Sequence, residues 1–192
     1  MAFAGRIAAD PNHDDFAAHL AGARRGTAPS CRWLYESLAG RVSGYLRVHG
    51  APEPDDLTNE VFLRVFDHLD GFSGDEPAFR SWVFTIAHRL LIDDHRRRTR
   101  RVHTVELSTP LAATIAGGDA EADAVAALTE QHIALVLASL PADQRDVVTL
   151  RVMADLSVEQ VAAMLGKRPG AVKSLQHRAV ANLRRRLQKV EP

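Results

Sequence analysis

The stretch that decides the fold is "SVEQVAAMLGKRPGAVKSLQHRAVANLRRRL", from Ser157 to Leu187. Ser157 followed three residues later by Gln160 is the pattern of a capping box, which marks the start of a helix. Gly166 stands where a short helix should stop. A helix of about eight residues, a turn that contains glycine and a longer basic helix together predict a helix-turn-helix.

The second helix of this unit has the charge expected of a helix that contacts a polyanion. From Lys167 to Lys189 the chain has eight basic residues and no acidic one. The first turns of such a helix lie near base edges in the DNA major groove. The candidates for reading DNA are therefore Arg168, Lys173, Ser174, His177 and Arg178. Apolar contacts between the two helices are expected at Ala162, Leu165, Val172 and Leu175. A helical hairpin with a solvated basic face is the alternative.

A second basic stretch, "FRSWVFTIAHRLLIDDHRRRTRR", runs from Phe79 to Arg101 and holds seven arginines against two aspartates. Its helical spacing predicts a buried stripe of Phe79, Trp82, Val83, Ile86 and Leu90. Off that stripe we expect Arg80, Phe84, His88 and Arg89. Aromatic and cationic groups together suit stacking on single-stranded bases. The arginines beyond would equally suit the dipole at a helix C-terminus.

An acidic block precedes this helix. From Pro52 to Glu76 there are eight acidic residues and one arginine. A helix is predicted to open at Asp55 or Asp56, because carboxylates suit a helix N-terminus. Its apolar face comprises Leu57, Val61, Phe62, Val65, Phe66 and Leu69. Acidic charge predicts a partner other than the polyanion.

Helical spacing elsewhere predicts an all-α protein of two small domains. Further helices are expected over Asp14–Ala23, Cys31–Val48, Ala122–Ala138 and Asp143–Met153. Between Val102 and Asp123 the periodicity is lost, which is typical of a linker. We therefore expect an N-terminal helical bundle over residues 1–101, a flexible linker over 102–125 and a helix-turn-helix domain over 126–192.

Composition argues against several classes of function. Cys31 is the only cysteine, so one chain can form neither an internal disulfide nor a thiolate zinc site. His88 and His95 are seven residues apart, too far for the usual ligand pair, so no metal or other cofactor is expected. No catalytic signature is present, which argues against an enzyme. The chain has no apolar run of membrane-spanning length and no leader-like start, so a cytoplasmic location without membrane insertion is expected.

Three segments carry a resemblance to a known family: "DLTNEVFLRVFDHLDGF", "FRSWVFTIAHRLLIDDHRRR" and "LPADQRDVVTLRVMADLSVEQVAAMLGKRPGAVKSLQHRAVANLRRRL". In this order they resemble regions 2 and 4 of a sigma-70 family transcription factor of the small extracytoplasmic-function (ECF) type. The resemblance covers about residues 14–101 and 130–188. It implies a subunit that binds core RNA polymerase, directs it to promoter DNA and is held by an anti-sigma factor.

Matching positions imply three groups of site residues. The group facing the polymerase is Asp55, Asp56, Leu57, Glu60 and Arg64. The group facing the melted minus-ten element is Ser73, Asp75, Arg80, Phe84, His88, Arg89, Arg96 and Arg97. The helix-turn-helix residues named above would read the minus-thirty-five element. The competing hypothesis is a helix-turn-helix regulator that does not associate with core polymerase and uses its bundle for sensing or dimerisation. That hypothesis leaves the acidic helix and the second basic block unexplained.

Overall fold

The computed structural model describes residues 11–102 and 133–187, which are helices joined by short turns. The N-terminal part comprises α1 (Pro11–Arg24), α2 (Ala28–Val48), α3 (Pro54–Asp67) and α4 (Glu76–Val102), with a short 3-10 turn, Leu69–Gly71, after α3. The C-terminal part comprises α5 (Ala142–Val152), α6 (Val158–Leu165) and α7 (Pro169–Leu187). Residues 133–138 are also helical.

The described residues include no β-strand, so the predicted all-α class is confirmed. Most of the predicted linker and most of the helix expected over Ala122–Ala138 lie outside the described residues. Among the helices that the structure describes, none has the length and apolar character needed to span a bilayer.

Local chemistry sets several helix boundaries. Proline lies in the first turn of α2 and of α3, where its missing N–H costs no intrahelical bond. At α6 the capping box is present: Ser157 Oγ accepts from the Gln160 backbone N–H at 3.1 Å, and Gln160 Oε1 accepts from the Ser157 N–H at 2.7 Å. Gly166 ends α6 with φ of 62°, a left-handed conformation that glycine adopts without strain. The predicted start and stop of this helix are confirmed.

The helix-turn-helix prediction is confirmed in its packing. Ala162, Val172 and Leu175 are buried between α6 and α7, and Leu165 is partly buried beside them. Helix α5 supports both, with Val147 and Leu150 fully buried. These residues belong to one hydrophobic cluster that continues into the core of the N-terminal bundle.

The bundle core centres on Tyr45 of α2, which is fully buried. The Tyr45 ring meets the ring of Phe84 edge-on, with centroids 5.6 Å apart. Phe62 of α3 and Phe79 of α4 are buried in the same hydrophobic cluster, where the Phe79 ring lies 5.5 Å from that of Phe16 of α1. Each helix of the bundle therefore contributes an aromatic or aliphatic face to one shared core.

The prediction that Phe84 lies off the buried stripe of α4 is wrong. Phe84 is fully buried with Ala87, and Leu91 is nearly so, whereas Trp82 and Ile86 are only partly buried. Helix α4 packs against both α2 and α3, so its buried arc is wider than a single stripe. Trp82 lies at the edge of that arc and stacks on Phe72 at 5.1 Å.

Truncation of Phe84 should therefore destabilise the bundle strongly. Phe84→Ala removes a fully buried ring, and we expect a loss of about 3–5 kcal/mol in the free energy of unfolding, measured by chemical denaturation followed by circular dichroism. Leu63→Ala is the control, because Leu63 is 64% exposed and its truncation should change stability by less than about 0.5 kcal/mol. Equal effects of the two changes would contradict this core.

Candidate nucleic-acid and polymerase interfaces

The first turns of α7 present the predicted DNA-reading residues to solvent. Arg168, Lys173, Ser174, His177 and Arg178 are all exposed. The opposite side of the helix is buried against α5 and α6, so the orientation of the exposed side is fixed by packing. The Ser174 hydroxyl donates to the Gly170 carbonyl at 3.0 Å and keeps its acceptor capacity. The arrangement can reach base edges without first rearranging.

The arginines at the end of α7 are engaged differently. Arg186 donates to the Ser139 carbonyl at 3.0 Å, and Arg185 is hydrogen-bonded to the side chain of Asn182. Asn182 in turn donates to Gln144 of α5 at 2.7 Å. This end of α7 is therefore tied to the rest of the C-terminal part, which suits backbone contact better than base reading.

Helix α3 presents an acidic face to solvent. Asp56, Leu57 and Glu60 line a shallow surface groove together with Glu53 and Asp94. Glu60 pairs with Arg64 one turn along the helix, with Nη2 and Oε1 2.6 Å apart. Four of the five predicted polymerase-facing residues thus lie on one continuous surface.

Asp55, the fifth, also has a structural contact. The Ser43 hydroxyl donates to Asp55 Oδ1 at 2.6 Å, and Arg47 of α2 lies 3.9 Å from the same oxygen. Asp55 therefore braces α2 against the start of α3. Its side chain is nevertheless 79% exposed, so the carboxylate remains accessible from solvent.

Sequence reasoning missed Leu63 on this acidic face. Leu63 is an exposed apolar side chain, three residues after Glu60 and seven after Asp56, which places it on the same side of α3. The sequence does contain a signal for it, because Leu63 follows Asp56 and Glu60 at helical spacing. Because single exposed leucines are common on protein surfaces, its position beside Asp56 and Glu60, and not its exposure, makes Leu63 a candidate contact of this face.

The loop before α4 contains one buried aromatic residue and two exposed polar residues. Phe72 is buried and packs edge-on against Phe79 at 5.4 Å. Ser73 and Asp75, both predicted to face the minus-ten element, are exposed. Asp75 Oδ1 accepts from the Ala78 N–H at 2.9 Å and so caps α4. The loop is held in place by its flanks while its polar groups face outward.

The residues predicted to face a melted strand fall into three groups on α4. Arg89, Arg96 and Arg97 are exposed. Phe84 is buried, so its ring is not available to stack on a base. Arg80 and His88 are half-buried.

Arg80 and His88 are both held by other side chains. The Arg80 side chain is 13% exposed and pairs with Asp155 at 2.9 Å and with Glu76 at 3.9 Å. His88 Nδ1 lies 2.8 Å from the Tyr45 hydroxyl, and burial lowers the pKa of His88. Burial also raises the pKa of Tyr45, so the phenol keeps its proton and donates a hydrogen bond to His88 Nδ1. The other ring nitrogen of His88 then carries the N–H.

The junction between the two parts of the chain contains polar groups that the sequence did not reveal. His49, which follows α2, lies 3.0 Å from Thr149 Oγ1 through Nε2 and 3.3 Å from Asp146 Oδ1 through Nδ1. Burial lowers the pKa of His49 to about 3 and raises that of Asp146 to about 6. At neutral pH a neutral imidazole therefore lies beside a carboxylate that is largely ionised. No spacing pattern links these residues, which are about a hundred positions apart.

Comparison with known proteins agrees with this architecture. The family model for sigma-70 region 2 matches residues 34–101, and the model for sigma-70 region 4 matches residues 130–183. The ECF RNA polymerase sigma factor BldN of Streptomyces coelicolor is 34% identical over 86% of this chain, which spans 63% of BldN. SigL of Mycobacterium tuberculosis, also an ECF sigma factor, is 34% identical over 90% of this chain and 97% of SigL.

Two solved structures share the fold. CnrH in complex with the cytosolic domain of CnrY superimposes with a TM-score of 0.64 at 23% identity, covering 93% of this chain and all of CnrH. RpoE in complex with the anti-sigma factor NepR from Bartonella quintana has a TM-score of 0.61 at 22% identity, covering 84% of this chain and 98% of RpoE.

A four-helix bundle with an acidic face, followed by a helix-turn-helix with a basic one, defines a sigma-70 type transcription factor. The chain belongs to the ECF RNA polymerase sigma factors of that family. It is a subunit that directs RNA polymerase to promoters. The family resemblance is confirmed, and the regulator without polymerase is not favoured.

Reversal of charge on α3 should weaken binding to core polymerase. Asp56→Arg with Glu60→Arg replaces two carboxylates of the acidic face, and at about 0.5–1 kcal/mol for each exposed contact we expect at least about a fivefold rise in Kd. Competition with a labelled wild-type chain for core polymerase measures this Kd. Asp15→Arg with Glu36→Arg makes the same charge change at exposed positions on α1 and α2, and should leave Kd unchanged. An unchanged Kd for the α3 variant would exclude this face as the docking site.

Proposed function

We propose that this sigma factor divides promoter recognition between α4 and α7, with core polymerase bound on α3. The observation that carries the proposal is the exposed start of α7, where Lys173 and His177 face solvent while Val172 and Leu175 lock the helix in place. A rigid helix with polar groups on its first turns is the geometry of major-groove reading. The minus-thirty-five element is the expected target.

For the minus-ten element, the exposed arginines of α4 supply the main contacts. Arg89 and Arg96 are seven residues apart and therefore lie on one side of the helix, with Arg97 beside them. This row of cations is suited to contact successive phosphates of a single DNA strand, and it is called the strand track below. Ser73 and Asp75, in the loop just before this helix, offer hydroxyl and carboxylate groups for contact with a base.

The polymerase is proposed to bind the acidic face formed by Asp56, Leu57, Glu60 and Arg64, with Asp55 at its edge and Leu63 as its apolar contact. Complementary charge would guide association, and burial of Leu63 would add affinity. The sigma factor contributes binding energy and no catalytic step of its own. Its place of action would be the cytoplasm, where polymerase meets the chromosome.

An anti-sigma partner is also proposed. The family resemblance implies one, and the RpoE neighbour was solved with the anti-sigma factor NepR. The domain limits at residues 101 and 126 stay a prediction, supported by family matches that end at residue 101 and begin at residue 130.

Position along α7 should separate reading from anchoring. Lys173→Ala or His177→Ala removes an exposed group near base edges, and we expect preference to relax at one base at a cost of about 1–3 kcal/mol. Arg185→Ala is the matched control, because it lies at the anchored end and should weaken all sequences alike. Selection from randomised duplexes with each variant measures both effects. Identical sequence preferences in all three variants would refute base reading by α7.

Loss of the α4 arginines should impair melting without loss of stability. Arg89→Ala with Arg96→Ala removes two exposed cations from the proposed strand track, and we expect at least about a tenfold drop in open complexes. Permanganate footprinting of promoter complexes measures melting. Arg25→Ala with Arg32→Ala removes two exposed arginines from the N-terminal part of the bundle and serves as the control. Normal footprints with the α4 variant would assign the strand to another surface.

A further inference from the structure

Arg24, the last residue of α1, contacts the chain segment that follows α3. Its Nε donates to the Leu69 carbonyl at 3.4 Å, and its Nη2 donates to the Phe72 carbonyl. These two carbonyls bracket the short 3-10 turn, because Leu69 begins the turn and Phe72 follows its last residue. One guanidinium from α1 therefore holds both ends of this turn.

The guanidinium group is well suited to this contact. It is planar and presents its N–H donors in fixed directions, so it can bind two carbonyl oxygens at once. Hydrogen bonds from a charged donor are also stronger than those between neutral groups. Arg24 itself is exposed, and substitutions at exposed positions usually change the stability of a fold very little. The contact therefore fixes the position of the turn more than it stabilises the bundle.

The turn leads directly into residues 72–75, called the minus-ten loop below because Ser73 and Asp75 are proposed to contact that element. Both ends of this loop are anchored. At the first end, the Phe72 ring is buried against aromatic residues of α4, and Arg24 holds the carbonyl of the same residue. At the second end, Asp75 caps α4. The exposed polar groups of the loop are thus carried on a backbone that is fixed on both sides.

Gly74 shows how closely the middle of this loop is packed. Its φ of 153° is one that residues with a side chain rarely adopt. A Cβ atom at Gly74 would lie 2.8 Å from the Ala78 Cβ and 3.2 Å from the Phe72 Cζ. The loop backbone therefore lies directly against the first turn of α4 and the Phe72 ring. Because of this close packing, a displacement of Phe72 would also displace the exposed side chains that flank Gly74.

From this arrangement we propose that Arg24 is a positioning residue for the minus-ten loop. It contacts no base and acts by holding the Phe72 carbonyl, so that Ser73 and Asp75 are in place before a single strand binds. A loop that is ordered beforehand binds at a lower cost in conformational entropy. The proposal rests on the minus-ten contact proposed for this loop. It adds a residue of α1, which precedes residues 34–101 matched by the region 2 model.

Selection of single strands tests the proposal. Core polymerase carrying the wild-type chain selects from randomised single-stranded DNA, and the enriched sequences define the preferred bases. Ser73→Ala with Asp75→Asn then identifies the positions that the loop reads, because asparagine keeps the oxygen that caps α4. We expect Arg24→Ala to relax preference at those same positions. It should also weaken binding to the strand selected by wild type by at least about fivefold, which corresponds to the cost of ordering one backbone residue.

Arg25→Ala is the matched control. It removes the same charge from the neighbouring exposed arginine and leaves the bonds to Leu69 and Phe72 intact, so preference and affinity should stay those of wild type. Three further measurements separate positioning from a purely structural role. For Arg24→Ala we expect an unchanged melting temperature, unchanged binding to core polymerase and unchanged binding to duplex DNA selected through α7.

The outcomes separate this inference from the function on which it rests. Wild-type preference in Arg24→Ala, equal losses in Arg24→Ala and Arg25→Ala, or uniform weakening at all positions would each overturn the positioning role. So would a lower melting temperature together with weaker binding to core polymerase. These results would leave the proposed minus-ten contact of the loop standing. If the Ser73→Ala, Asp75→Asn variant relaxes no position, that contact is overturned, and the inference with it.

Discussion

The structure depends on the burial of one side chain, Tyr45, at the middle of α2. Its ring packs against Phe84 of α4, its hydroxyl bonds to His88 at 2.8 Å, and its ring also lies 4.4 Å from that of His49. A buried phenol must satisfy its hydroxyl, and His88 provides the acceptor. One residue thereby connects the bundle core, the polar side of α4 and the junction with α5.

This connection explains why α4 has two kinds of surface. Its first half is clamped between α2 and α3, so Phe79, Val83 and Phe84 are buried and few positions remain for DNA. From Ile92 to Arg100 its residues are exposed or half-buried, and Arg96 and Arg97 reach solvent. Arg98 is instead held against the bundle, because it pairs with Asp94 at 2.9 Å and donates to the Gly50 carbonyl at 3.2 Å. Arg98 therefore stabilises the fold, whereas Arg96 and Arg97 remain accessible to a binding partner.

The net charge of zero arises from two surfaces of opposite sign with different partners. The acidic face of α3 would repel the DNA backbone, and the basic side of α7 would repel a cationic protein surface. A sigma factor has to hold polymerase and promoter at once, and this distribution permits both contacts in one small chain.

The sequence by itself determined the local elements. The capping box at Ser157, the left-handed stop at Gly166 and the helical spacing of α1 to α3 depend on neighbours within a few residues, so pattern reasoning found them. It also placed Lys173 and His177 on the exposed side of α7, because the apolar residues of that helix recur at helical spacing and define a single buried side. Only the tertiary structure decided the fate of Phe84, since α2 covers a side of α4 that periodicity alone leaves open. The pairing of His49 with Asp146 and of Arg80 with Asp155 was decided there too, because contacts between residues some 75 to 100 positions apart leave no period in a single sequence.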